Sequence, residues 1–95
     1  MPPAEPDHRL VKALDHPIRV GFLSLLAERE VLSPRQGLDI LAMPATSLRT
    51  VVYHVRVLHQ FGLIAPAGGH DPDRGMPFRA TPRGEMALAA LGLPL

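Results

Sequence analysis

Between Thr46 and Ile64 the chain reads Thr-Ser-Leu-Arg-Thr-Val-Val-Tyr-His-Val-Arg-Val-Leu-His-Gln-Phe-Gly-Leu-Ile, with apolar residues recurring at helical spacing. At about 100° per residue, Leu48, Val51, Val52, Val55 and Leu58 fall on one side, and Arg49, Tyr53, Arg56 and Gln60 centre on the other. One face is core and the other is free to touch a partner. That polar face carries arginine, threonine, tyrosine and glutamine with no carboxylate, a composition suited to lying against phosphates. Ser47 or Thr46 caps the start, and Gly62 supplies the left-handed residue that commonly ends a helix.

The rest of the chain constrains how such a helix is held. Ninety-five residues, 46% of them apolar, support one core and not two. We therefore expect a disordered stretch over residues 1–6 and a single domain over residues 7–95. Cysteine is absent, which removes disulfides, thiolate metal sites and cysteine nucleophiles together. The start, Met-Pro-Pro-Ala-Glu-Pro-Asp, has neither a basic head nor an apolar run, and no apolar stretch approaches the ~20 residues of a membrane span. The expectation is a cytoplasmic protein with no membrane partner.

The net charge of +1 conceals a division along the chain. Residues 1–39 hold five basic and six acidic side chains, whereas residues 40–84 hold five arginines against only Asp71 and Asp73. Between Asp39 and Asp71 no acidic residue occurs. The position of charge matters more here than its total.

Three helix starts are marked by proline in the first turn, where its missing N–H costs nothing: His16-Pro17, Ser33-Pro34 and Thr81-Pro82. Ser33-Pro34-Arg35-Gln36 also has capping-box spacing. A first helix is expected over Asp7–Leu14, with Leu10, Val11 and Leu14 inward, ending where the residue before Pro17 is pushed out of helical geometry. The next, from Pro17 to about Glu28, presents Ile18, Phe22, Leu25 and Leu26. A short helix from Ser33 to Ala42, with Leu38 and Leu41 inward, breaks at Met43-Pro44-Ala45. The helix carrying the basic face follows, so the pair has helix-turn-helix character. After Gly62, two extended runs flank a Gly/Asp/Pro loop and predict a β-hairpin. Met76, Phe78 and Ala80 are expected inward, Arg79 and Thr81 outward. A last helix, from Pro82 to about Leu91, is expected to bury Met86, Leu88 or Ala89, and Leu91.

These residues resemble the winged-helix regulators of the ArsR-like kind. His16-Pro17-Ile18-Arg19-Val20 followed by Leu23-Ser24-Leu25-Leu26 is similar to their Pro-x-R…L-x-x-L opening helix. Thr50 to Leu58, followed by Phe61-Gly62-Leu63-Ile64, is similar to the recognition helix and first wing strand. Arg74-Gly75 with Phe78-Arg79-Ala80-Thr81 is similar to the return of the wing. The match spans roughly residues 10–90. It implies a mainly α fold with a small β-hairpin (α+β): a winged helix-turn-helix of three core helices, a wing and a short C-terminal helix. It also implies sequence-specific binding of double-stranded DNA by a small bacterial-type regulator, commonly a homodimer. The recognition helix, about 47–61, would enter the major groove. The wing, about 63–81, would meet the backbone or minor groove. The last helix lacks the Asp/His ligands of metal-sensing relatives, so metal sensing is not implied and no cofactor is expected.

The candidate DNA contacts are Ser47, Arg49, Thr50, Tyr53, His54, Arg56, Arg74 and Arg79. Arginine grips guanine O6/N7 with two bonds, Thr and Tyr meet base edges or phosphate, and Arg56, further along the helix, suits the backbone. Arg74 and Arg79 belong to the wing, where a guanidinium can enter a narrow minor groove, although Asp71 and Asp73 oppose phosphate. His54 sits at the margin of core and exposed face, and the competing reading is a neutral, hydrogen-bonded packing residue. His59, on the core side, has the same structural reading. No nucleophile elbow, phosphate-cradling loop or His-Glu-x-x-His occurs, so no enzyme is expected. The alternative function is a winged-helix protein-interaction module, to which arginine, tyrosine and an exposed Val57 are equally suited.

Overall fold

In the computed structural model the described residues are 12–41, 46–68 and 75–90. All three proline-led starts open helices: α1 (Pro17–Glu28), α2 (Pro34–Leu41) and, at the C-terminal end, α4 (Pro82–Ala90). Between α2 and α4 lie α3 (Leu48–Gln60) and the two strands β1 (Ile64–Pro66) and β2 (Phe78–Ala80). The fold is a winged helix. The expected first helix appears only as helical residues 12–13, because residues 1–11 lie outside the described part. So do Leu10, Val11, the Met43-Pro44-Ala45 break, the Asp71/Asp73 loop with Arg74, and Leu91.

The boundaries have local causes. The capping box at α2 closes in both directions: Gln36 N–H donates to Ser33 Oγ at 3.2 Å, and Ser33 N–H donates to Gln36 Oε1 at 3.0 Å. α3 starts at Ser47, whose Oγ accepts from Thr50 N–H at 3.2 Å. Its end is a Schellman motif, with Gly62 at φ 74°, Gly62 N–H bonded to His59 C=O at 2.9 Å and Leu63 N–H to Leu58 C=O at 3.1 Å. The Leu58 and Leu63 side chains that accompany it are fully buried. Thr81 opens α4 and ties it to that turn: Gly84 N–H donates to Thr81 Oγ1 at 3.1 Å, and the hydroxyl donates to Gly62 C=O at 2.7 Å.

β1 and β2 pair antiparallel, with Ile64 opposite Ala80 and Pro66 opposite Phe78. The wing also contains an unexpected third partner. Phe78 exchanges two backbone bonds of 2.9 Å with Leu32, in the link between α1 and α2. Phe78 thus spends its N–H and C=O away from β1, and Pro66 stands opposite a residue that asks nothing of its missing N–H.

The core contains Ala13, Leu14, Ile18, Phe22, Leu23, Leu26, Leu32, Val51, Val55, Leu58, Leu63, Ile64, Ala87 and Leu88. The helix phases read from the sequence hold for α1 and α3. Leu25, Leu38 and Phe78, expected inside, are partly buried against this core, and Leu41 is half-buried. The phase of α4 is corrected: Met86 is 72% exposed, Ala89 is exposed, and Ala87 and Leu88 point inward. Met76 is also exposed rather than inward. In α4 the apolar residues were too evenly spread to define a face, and Met76 lies before β2, outside the strand pairing that orients Phe78 and Ala80. The inner side of α4 is set instead by Gly84, where any β-carbon would collide with the Leu63 carbonyl oxygen.

Candidate nucleic-acid interface

α2 and α3 pack together, and α3 packs also on α1, which leaves one side of α3 outward. Ser47, Arg49, Thr50, Tyr53, Arg56 and Gln60 are exposed on it, whereas Val51, Val55 and Leu58 are buried. Arg49 and Arg56 stand seven residues apart, which at about 1.5 Å rise puts them about 10 Å apart along the same side. At the start of α3, Ser47 and Thr50 hydroxyls are 3.1 Å apart, so the cap engages both. Val57 is half-buried, not exposed. His59 is exposed rather than turned to the core, with its ring tilted against Phe78 at 6.0 Å between centroids. Arg79 is exposed on β2, between half-buried Phe78 and Ala80. Arg74 lies outside the described residues.

His54 departs from the contact set. It is only 6% exposed, and its Nδ1 accepts from Arg19 Nε at 3.0 Å. Its ring stacks on His16 with centroids 3.9 Å apart and 24° between planes. The structure places His54 as a hydrogen-bonded packing residue, with its ring turned inward and away from the exposed side of α3. Burial lowers its pKa from the ordinary 6.5, and the nearby His16 and Arg19 charges push the same way. Tyr53, 58% exposed, stands edge-on to the His54 ring at 5.1 Å, so the outward face touches this buried group.

Sequence reading missed the contribution of His16 and Arg19. His16 caps α1, its Nδ1 accepting from Ile18 N–H at 3.2 Å, a role for which only its place before Pro17 gave a signal. Arg19 also donates through Nη1 to the Lys12 and Ala13 carbonyls at 3.3 and 3.4 Å. Its bond to His54 joins residues 35 apart in the chain and left no local trace. Among the described residues no group of three or more His, Cys, Asp or Glu could hold a metal ion, and no helix is long and apolar enough to cross a membrane.

The winged-helix fold of this chain has structural counterparts among solved proteins. A MarR-family regulator from Neisseria meningitidis superposes with a TM-score of 0.67 at 20% identity, over 90% of this chain and 58% of that one. The Mycobacterium tuberculosis protein Rv0081 gives 0.68 at 23% identity, over 94% of this chain and 87% of that one. The transcriptional repressor BigR from Xylella fastidiosa gives 0.65 at 20% identity, over 90% and 79%. The chain spans little more than half the length of the Neisseria regulator. No family profile matches the sequence, and no curated protein does either.

Proposed function

We propose that this chain is a sequence-specific, double-stranded DNA-binding regulator of the ArsR-like kind, acting in the cytoplasm as a homodimer and without catalysis, metal or cofactor. The observation that carries this is the exposed, carboxylate-free side of α3, with Arg49 and Arg56 two turns apart on a helix packed against α2. In this reading α3 lies in the major groove, Arg49, Thr50 and Tyr53 meet base edges, and Ser47 and Arg56 meet phosphate. Arg79 faces the backbone or minor groove from the wing, joined by Arg74. The regulators of similar fold support the reading.

The homodimer is expected to form through the first and last helices. Leu88 is fully buried within the monomer, so α4 offers Met86 instead. Sedimentation at high micromolar concentration is expected to show a dimer, and monomer alone would remove this part of the proposal. Binding of fragmented genomic DNA, with competitor and a salt series, tests the function itself. Enrichment of particular fragments with affinity falling steeply as salt rises is the expected result. No duplex binding at low salt by a folded protein would hand the face of α3 to a protein partner.

A further inference from the structure

Two imidazoles stacked at 3.9 Å, each accepting a hydrogen bond through Nδ1, form a joint whose bond to Arg19 holds only while His54 is neutral. Imidazolium has a proton on both nitrogens and accepts nothing. A proton on His54 Nδ1 would set N–H against Arg19 Nε–H, where now there is a bond of 3.0 Å. That proton also puts a full charge against the His16 ring.

The joint sits where three segments meet. Arg19 anchors it through the carbonyls of Lys12 and Ala13, His16 starts α1, and His54 belongs to α3. Tyr53, edge-on to His54, carries the contact to the outward face. The charged groups around it are cationic or exposed. From α1 come His16 and Arg19, and from the preceding turn Lys12 and Asp15, both exposed. α2, packed on α3, brings exposed Arg35 and Asp39, and α3 itself adds exposed Arg56. The charges that bear on His54 are those of His16 and Arg19, and both oppose its protonation.

We propose that the His16–His54 stack, locked by Arg19, is a proton-operated latch that positions the outward face of α3 and releases it under mildly acidic conditions. This rests on the reading of α3 as the DNA-contacting helix and adds to it a class of signal, the proton, within the winged helix. The sign follows from burial. Unfolded chain takes up a proton at His54 near the ordinary 6.5 while the folded chain resists it, so the locked form is fully stable above that pH and loses ground as pH falls below it.

The test has two arms on the full chain. In the first, histidine ring and α3 amide resonances are followed by NMR without DNA from about pH 7.5 to about pH 5.5. The α3 amides from Leu48 to Val55 are expected to shift, and to lose exchange protection, along the titration of His54. Unchanged amides while His54 titrates would overturn the latch. In the second, affinity for a mixed-sequence duplex is measured at both pH values and constant salt. His54→Gln offers Arg19 a non-titrating acceptor, and His16→Asn keeps a capping oxygen, so loss of folding in one variant leaves the other. The wild type is expected to lose affinity about fivefold or more relative to the variants on acidification. Parallel profiles in wild type and variants would overturn the proposal. Absence of DNA binding at both pH values would overturn the functional reading instead, and the first arm would still decide the latch.

Discussion

Arg49 and Arg56 share a face but not a task, and their truncations should fail differently. Arg49, in the first turn of α3, is placed to read a base, so Arg49→Ala should cost about 1–3 kcal/mol on the preferred sequence and relax discrimination there. Arg56, nearer the C-terminal end, is placed for phosphate. Arg56→Ala should weaken all duplexes alike and lower the slope of log affinity against log salt by about 0.9. Fluorescence titration across a salt series separates the two. Both residues are exposed, so neither change should alter the melting curve. At this scale the sequence was legible where chemistry is local. The Ser33–Gln36 box, the Ser47 cap and the αL glycine at Gly62 all depend on residues a few positions apart. His54 was ambiguous for the same reason, since its partners His16 and Arg19 come from another helix.

Helix α3 was readable because it has a defined apolar side, whereas α1 is apolar over most of its surface and still buries Ile18, Phe22 and Leu26 as expected. α4 was not readable, because Met86, Ala87, Leu88, Ala89 and Ala90 are apolar all round and give no phase. The structure sets its rotation through Gly84, which lets the helix backbone approach Leu63 more closely than any side chain permits. The Leu63 carbonyl cannot step aside, because it accepts from Thr81 N–H at 3.1 Å. Gly84→Ala should therefore destabilise the domain by about 1–3 kcal/mol, even though alanine is the better helix former. Thermal melts check this, and a melting point at or above the parent's would show that α4 can pivot. The third wing partner, Leu32, escaped sequence reading because one residue has no periodicity. Its pairing with Phe78 fastens the wing to the link between α1 and α2.

The whole molecule depends on one core shared by every element, with Val55 at 2% exposure among residues of α1, α3, α4 and the wing. Val55→Asp places a carboxylate there without a partner, at several kcal/mol against the ~5–10 available to so small a domain, and should unfold it. Circular dichroism across a thermal ramp is the check, and a cooperative melt near the parent temperature would take Val55 out of the core. The sequence by itself determined the proline-led helix starts, the two-strand hairpin and the outward basic side of α3, because capping, turn chemistry and helical periodicity act over a few residues, and the resemblance to winged-helix regulators supplied the class. The tertiary structure alone decided the rotation of α4, the strand contact of Leu32 and the stacked histidines beneath Tyr53. Each of these joins groups from separate elements, and such contacts are selected by close packing, which leaves no period in the chain to read.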